Sequence, residues 1–328
     1  MSRKKPSYWL LFLLLPFLLA QCADNQGGKE LKLAHGLPVG HPVSKAMAFL
    51  AERCGEISHG ELTIKIYPSG QLGSEQQNVE LLQLGSLAMT KVSAAVLEGF
   101  SEDYKVLGLP YIFRDKTHYF HVCDSDIGND ILLSTEKKWL RGLCFFDAGS
   151  RSFYSTKKQI KTPDDLKGMK IRVMKSKTAM NMVEALGGSP TPLSWGELYT
   201  ALQSGVVDGA ENNPPTFYSS HHFEVCKYYT LDEHASIPDV LIMSQVIWNK
   251  LTPKEKKYLQ QAVKETVVKQ RALWAAAEDD ALAALKKAGV TIFKPQKSLY
   301  SEKVSSMYES YQAQPIVYDY ITRIKNLK

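Results

Sequence analysis

The sequence predicts an α/β protein with two lobes, and three observations support this prediction. Strands and helices alternate over about sixty residues from position 31, the order that produces a parallel sheet with right-handed crossovers. The same alternation returns from residue 143 onward. One helical pattern then runs from residue 253 to residue 288, and its length of about 54 Å exceeds the diameter of one small domain. We therefore expect this helix to pass beneath both lobes.

The elements of the first lobe follow from alternating polarity and from turn signals. Ser74 predicts a helix start because Gln77, three residues later, completes a capping box. Gly85 marks the end of that helix. The predicted elements are a strand at 31–35, a helix at about 42–56, a strand at 61–67, the helix after Ser74 and a strand at 87–93.

The later elements repeat this rhythm. A second capping box, Ser194 to Glu197, opens a helix before Gly209. Thr252 and Pro253 open the long helix, which stops at Gly289. The remaining predictions are a helix at about 115–136 and strands at 143–148, 151–155, 170–173, 226–234, 238–247 and 290–293.

The composition is that of a globular protein rather than a nucleic-acid-binding one. The chain has 328 residues, of which 44% are hydrophobic and 23% are charged. Its formal net charge is +6, and half of this comes from Arg3, Lys4 and Lys5. The other basic residues are dispersed and form no stripe with interleaved aromatic residues, so we expect no nucleic-acid partner.

The first 22 residues read as a secretory signal peptide. The basic start is followed by an apolar run, Tyr8 to Ala20, that is too short to be a comfortable permanent membrane span. Cys22 stands where a bacterial lipoprotein signal has its lipidated cysteine, although Gln21 departs from the small residue usual before it. Lipidation at Cys22 and simple cleavage nearby both remain open, and residues 23–30 read as a tether.

No strong catalytic, cofactor or metal motif is present. The chain has no phosphate-binding loop, GxGxxG, GxSxG or HExxH pattern. The remaining cysteines lie far apart without CxxC spacing, so they indicate neither a metal knuckle nor a redox pair. Export permits disulfides, but spacing does not choose partners, and small buried residues are the simpler interpretation. These cysteines are Cys54, Cys123, Cys144 and Cys226.

The segment from Lys167 to Tyr218 contains the residues best suited to bind an anion. Arg172 ends a short strand, and Asn212 follows a later strand of the same segment. A guanidinium can bond both oxygens of a carboxylate, while an amide supplies neutral donors and acceptors beside it. Arg151, on a neighbouring strand, strengthens this prediction. The alternative for Arg172 is a solvated surface charge or a structural ion pair.

Other polar residues are candidates for the ligand's remaining groups. His35 follows the first strand, where cleft residues of open α/β sheets lie, and it either faces the cleft or packs in the core. Glu75 begins a capped helix, so it either meets a ligand or complements the helix dipole. Asp232 and His234 lie on the strand that leaves the second lobe. Together these residues favour a hydroxyl-rich acid.

Several strings, in this order along the chain, resemble the DctP-type solute-binding proteins of tripartite ATP-independent periplasmic (TRAP) transporters. The resemblance covers essentially the whole mature chain. The strings are Ala34-His35 with His41-Pro42, YPSGQLGSE (67–75), GSRSF (149–153), DLKGMKIRV (165–173), ALGGSP (185–190) and ELYTALQSGVVDGAEN (197–212).

The resemblance implies a two-lobed periplasmic-binding-protein fold, each lobe a mixed sheet flanked by helices, with a cleft that closes on one ligand. It implies that Arg172 forms a bidentate salt bridge with a ligand carboxylate, assisted by Arg151 and Asn212. By analogy with members that bind sugar acids, Glu75 would accept bonds from ligand hydroxyls. The partners would be the TRAP membrane subunits, which use an ion gradient, and a lipid anchor if Cys22 is modified.

The expected lobes are residues 31–148 with about 238–265, and residues 149–237 with about 266–328. We predict an exported, periplasmic protein that binds a sugar acid such as glucuronate or galacturonate without a cofactor. A C4-dicarboxylate is the second candidate, although Glu75 would repel a second ligand carboxylate. A lipoprotein that presents its ligand to a sensor and an exported enzyme on the same fold are further alternatives.

Overall fold

The computed structural model of the chain describes residues 28–328. The predicted signal peptide, Cys22 and residues 23–27 of the predicted tether lie outside the described residues. Lys29 and Glu30, which the prediction gave to the tether, belong to the first strand because they pair with Leu62 and Thr63. None of the described helices combines the length and the apolar character that a bilayer span requires.

The strands of the described chain form two separate sheets. The first has five strands in the order β2-β1-β3-β10-β4, and the second has six in the order β11-β9-β5-β8-β6-β7. The strands are β1 Lys29–Ala34, β2 Leu62–Tyr67, β3 Met89–Ser93, β4 Leu140–Phe146, β5 Arg151–Ser155, β6 Lys170–Val173, β7 Ser189–Pro192, β8 Gly209–Asn212, β9 Tyr228–Ala235, β10 Asp239–Ser244 and β11 Thr291–Phe293.

Helices cover both sheets. The α-helices are α1 Pro42–Ile57, α2 Glu75–Gln83, α3 Ala94–Leu97, α4 Lys116–Asp124, α5 Asp126–Leu133, α6 Lys177–Ala185, α7 Leu198–Gln203, α8 Pro214–Ser219, α9 Gln245–Asn249, α10 Pro253–Lys287, α11 Lys297–Lys303, α12 Ser305–Ser310 and α13 Pro315–Asn326.

Strand pairing confirms the predicted α/β class. β1 is parallel to β2 and β3, as the alternation of strands and helices predicts. β10 then enters the first sheet antiparallel to β3 and β4, which makes that sheet mixed. In the second sheet β6 is parallel to β7 and β8, whereas β5 is antiparallel to β8 and β9. The helix predicted at 115–136 is divided into α4 and α5, because Ser125 ends one and caps the other.

The long helix α10 joins the cores of the two lobes. It begins at the predicted start, where Thr252 and Glu255 form a capping box, and its 35 residues extend over about 52 Å. Near its start Leu259 and Ala262 pack in the core of the first sheet, whereas Leu285 near its end packs in the core of the second. One continuous helix therefore supports both lobes.

The same helix holds the crossover from β4 to β5. The Gln270 amide accepts a bond from the Asp147 backbone N–H at 2.9 Å and donates one to the Asp147 carbonyl at 2.7 Å. Gly149 has a φ of +59°, and a Cβ there would lie 2.9 Å from Nε1 of Trp274. Only glycine adopts this positive φ without strain and also lacks the Cβ that would clash with Trp274. The crossover therefore fits closely against α10.

The last helix departs from the predicted lobe boundary. The prediction assigned all residues after about 266 to the second lobe. In the structure, however, Val317, Tyr320 and Ile324 of α13 are buried in the core that includes Val106 and Ile131 of the first lobe. The sequence predicts that α13 has an apolar face, but it does not indicate against which lobe that face packs.

Glu98 links the lobes directly. Its Oε1 accepts a bond from Ser176 Oγ at 2.9 Å, and its Oε2 accepts one from the Thr178 N–H at 3.3 Å, both at the start of α6. Burial raises the pKa of the Glu98 carboxyl to about 7, although these hydrogen bonds oppose the rise. The folded protein therefore holds this proton more tightly than the unfolded chain does.

The contribution of Glu98 to stability should consequently fall as the pH rises from about 4.5 to about 7, since the unfolded chain loses the proton first. We expect up to roughly 3 kcal/mol of the free energy of unfolding to depend on this group. Glu98→Gln should flatten that pH dependence in urea unfolding at pH 5 and pH 8. Glu102→Gln, an exposed neighbour, is the matched control. Equal pH dependence in the parent and Glu98→Gln would contradict the assignment.

Candidate functional site

A cleft of about 810 Å³, including its open mouth, lies between the two sheets. Its walls come from both lobes and combine charged, polar and apolar side chains. The lining residues are Gly36, Leu37, Ser74, Glu75, Gln76, Lys91, Ser93, Val96, Ala148, Arg151, Arg172, Met174, Lys175, Leu193, Ser194, Trp195, Asn212, Asn213, Thr216, Ile237 and Asp239.

Arg172 projects into this cleft from β6, the strand next to the edge of the second sheet. It is 2% exposed, and its strand β6 lies between β7 and β8. Its Nε and Nη2 donate to the Leu193 carbonyl at 3.0 and 2.8 Å. Burial lowers the pKa of this guanidinium, but the intrinsic pKa of arginine is so high that the group stays charged.

The two bonds to Leu193 determine which N–H donors of Arg172 remain available to a ligand. A guanidinium has five N–H groups, and the Leu193 carbonyl receives two of them. Within residues 28–328 no carboxylate forms a salt bridge with Arg172. The Nη1 and Nη2 end of the fork is thus available for both oxygens of an incoming carboxylate.

Arg151, in contrast, is already neutralised. Its Nη2 donates to Glu211 Oε1 at 2.9 Å and to the Glu211 carbonyl at 2.8 Å, and its Nε forms a further bond to the same carboxylate. Glu211 faces Arg151 because β8 pairs with β5 in the second sheet. Arg151 therefore presents a fixed, compensated positive group to the cleft.

Asn212 is oriented by Arg151. Arg151 Nη1 donates to Asn212 Oδ1 at 3.0 Å, and the N–H and the side-chain amide of Asn213 donate to the same oxygen. Since arginine has only donors, the amide oxygen must face it. The Nδ2 group of Asn212 is left as the donor for a ligand in the cleft.

Asp232 and His234 lie behind Arg151 and are not part of the cleft lining. His234 Nδ1 bonds Asp232 Oδ2 at 2.8 Å, and its Nε2 lies 3.5 Å from Glu211 Oε2. Burial lowers the pKa of His234, but Asp232 and Glu211 more than offset this and raise it to about 9. His234 thus supports Glu211, Asp232 orients His234, and neither residue lines the cleft.

His35 also stands outside the lining. Its Nδ1 accepts from the Leu37 N–H at 3.3 Å, and its Nε2 lies 3.4 Å from Ser44 Oγ. Burial first, and then the charge of Lys91, lower its pKa to about 4, so the ring is neutral. His35 shapes the loop of Gly36 and Leu37, and those two residues line the cleft in its place.

Glu75 lies in the opposite wall as part of an ionic group that sequence reasoning did not find. Lys91 donates to Glu75 Oε1 and to Asp239 Oδ1, both at 3.1 Å. Glu75 Oε2 also accepts a bond from the Ser93 N–H at 3.3 Å. One signal was present in the sequence: Lys91 interrupts a buried strand, and a buried lysine requires charged partners.

Trp195 and Lys175 are further lining residues that sequence reasoning missed. A Cβ at Gly36 would lie 3.7 Å from the Trp195 ring, so the first-lobe loop and the second-lobe loop approach closely there. The His41 ring also bonds Thr216 Oγ1 across the lobes at 3.1 Å. These contacts depend on distant parts of the chain and leave no local sequence pattern.

Comparisons with known proteins find a matching family and similar solved structures. Residues 33–314 match the family model DctP, described as bacterial extracellular solute-binding protein, family 7. A TRAP periplasmic solute-binding protein of Bradyrhizobium, solved with galacturonate, is 35% identical with a TM-score of 0.89, over 91% of this chain and 100% of that one. One from Pseudomonas putida F1, solved with D-glucuronate, is 36% identical with a TM-score of 0.88, over 92% and 98%.

A relative with a different ligand in its name is also similar. The C4-dicarboxylate-binding periplasmic protein DctP of Rhodobacter capsulatus is 31% identical over 80% of this chain and 79% of its own length.

Proposed function

Because the chain belongs to family 7 of the bacterial extracellular solute-binding proteins, we propose that it captures a hexuronate such as glucuronate or galacturonate. The ligand is bound in the cleft and delivered to the membrane subunits of a TRAP transporter. The observation that carries this proposal is Arg172, a buried cation in the cleft wall whose only hydrogen-bond partner among residues 28–328 is a neutral carbonyl.

The binding residues then have distinct roles. The fork of Arg172 bonds both carboxylate oxygens of the uronate, and the free amide of Asn212 donates beside it. Arg151, whose charge Glu211 compensates, holds Asn212 in orientation. Glu75, on the other wall, accepts bonds from the sugar hydroxyls. A ligand that reaches both walls favours the closed arrangement of the lobes, since it interacts better with that state.

In this proposal the protein is a carrier and not an enzyme, and it works outside the cytoplasm. It is either free in the periplasm or held at the membrane by lipid on Cys22. Mass spectrometry should return an incubated uronate unchanged, and purified protein should show a lipid adduct at Cys22 only in the anchored case.

A C4-dicarboxylate is the second candidate, because the Rhodobacter capsulatus relative carries that ligand in its name. The cleft chemistry supports it less well. Arg172 could bind one of its carboxylates, but the second would meet Glu75 and Asp239 on the opposite wall, and like charges repel each other.

A thermal-shift screen tests the two candidates directly. At a concentration of 100 times Kd, a ligand adds about 2.7 kcal/mol to stability. We expect glucuronate or galacturonate to raise Tm by roughly 5 °C or more and succinate or malate to have a much smaller effect. Glucose and glucitol, which lack the carboxylate, are the controls. A larger shift with a dicarboxylate than with either uronate would contradict the proposal.

A further inference from the structure

A buried ionic group on the first-lobe wall of the cleft has its own donor and acceptor pattern. The group consists of Lys91 in β3, Glu75 in the first turn of α2 and Asp239 at the start of β10. Lys91 and Asp239 are diagonal neighbours on adjacent antiparallel strands, because Asp239 is paired with Ser93, two residues from Lys91. All three side chains border the cleft.

Protein partners satisfy only part of the hydrogen-bonding capacity of this group. An ammonium has three N–H donors, and Glu75 and Asp239 accept two of them. No acceptor in the described part of the chain takes the third. Asp239 Oδ2 receives no protein donor among residues 28–328, and Glu75 Oε2 receives only the Ser93 N–H. One donor and at least one carboxylate oxygen therefore remain for a bound molecule.

The group also has a defined charge. With all three groups ionised, two carboxylates and one ammonium give this group a net charge of −1. Burial raises the pKa of Asp239, and the neighbouring Lys91 opposes that rise. Lys91 is 3% exposed and Asp239 is 8% exposed, so solvent screens their charges little. The opposite wall carries Arg172, which has no carboxylate partner within residues 28–328. The cleft is thus polarised, with a carboxylate-binding end and an acidic end.

We propose that Lys91, Glu75 and Asp239 form a specificity subsite that binds vicinal hydroxyls of the ligand and rejects a second carboxylate. The proposal rests on the uronate function stated above. A hydroxyl can accept from the free Lys91 N–H and donate to Asp239 or Glu75 at the same time. A carboxylate is acceptor-only, so it could use the Lys91 donor but would face two like charges.

A ligand panel with one charge-removing variant tests the subsite. Asp239→Asn keeps the shape of the side chain but removes one negative charge and replaces an acceptor oxygen with a donor. Calorimetric Kd values should be measured for glucuronate, galacturonate and succinate. We expect uronate affinity to fall by about 10- to 100-fold and the preference for uronate over succinate to fall by at least as much.

Glu56→Gln is the matched control, because it removes one exposed negative charge from the same lobe away from the cleft. It should leave the preference unchanged. Where Asp239→Asn does not fold, Glu75→Gln replaces it, since the Glu75 side chain is less deeply buried. A gain of relative succinate affinity cannot arise from misfolding.

The outcomes separate this inference from the function on which it rests. If the parent protein binds uronates but the folded variant alters all three affinities by the same factor, or by less than threefold, the group is purely structural and the subsite is disproved. If the parent protein binds succinate more tightly than both uronates, the proposed function and the subsite both fail.

Discussion

Replacing Arg172 by lysine should weaken uronate binding by at least about 100-fold, or roughly 3 kcal/mol. The guanidinium bonds the Leu193 carbonyl through Nε and Nη2 and still presents two nitrogens at its end. A lysine ammonium is a single point that cannot hold that carbonyl and span both carboxylate oxygens. Arg172→Ala should weaken binding further, because the ligand carboxylate would be desolvated without a counter-charge.

Lys175→Ala provides the matched control for charge alone. Lys175 also lines the cleft with a positive group, but its side chain is exposed. We expect its removal to cost less than about tenfold in calorimetric affinity and to act mainly at low salt. Equal losses for Lys175→Ala and Arg172→Lys would mean that positive potential, not the fork, binds the acid. Tm values of all variants without ligand should accompany the titrations.

The strongest predictions from the sequence concerned local signals. The strands that carry Arg151 and Arg172 have the bounds that the sequence predicts, Arg151–Ser155 and Lys170–Val173. The capping boxes at Ser74 and Ser194 also have the predicted positions. Each of these features is encoded within four or five neighbouring residues, so the chain did not have to be folded to find them.

The residues that the sequence missed, or assigned to the ligand although they lie outside the cleft lining, are those whose roles depend on distant parts of the chain. Asp239 bonds Lys91 across 148 positions, and neither residue belongs to a motif. Asp232 and His234 have the composition of a ligand site, but Glu211 turns them into supports of Arg151. The sequence could not determine which of its polar groups line the cleft.

The four described cysteines illustrate the same limit. Cys54, Cys123, Cys144 and Cys226 are buried and unpaired. Export alone left disulfides open, because spacing gives no distance between sulfurs. Burial raises the pKa values of these thiols, which agrees with the simpler interpretation of small core residues.

Removing the Glu211 carboxylate should cause the largest loss of stability, about 3–5 kcal/mol for Glu211→Ala. Arg151 is 5% exposed, and Glu211 is its only carboxylate partner among residues 28–328. Burial alone would raise the pKa of Glu211, but Arg151 and His234 lower it to about 2, so the group is charged at neutral pH. Without it, the buried Arg151 loses its counter-charge, and His234 keeps only Asp232. Urea unfolding measures the loss.

A double variant distinguishes loss of the ion pair from loss of packing. In Arg151→Met with Glu211→Leu, both charges leave together, so much of the stability lost in Glu211→Ala should return. Glu224→Ala, an exposed carboxylate on the same lobe, should change the free energy of unfolding by less than about 0.5 kcal/mol. If Glu211→Ala costs no more than this control, Arg151 is not held by a buried ion pair. The double variant keeps Arg172 but loses the group that orients Asn212, so its uronate affinity measures how much of binding depends on that orientation.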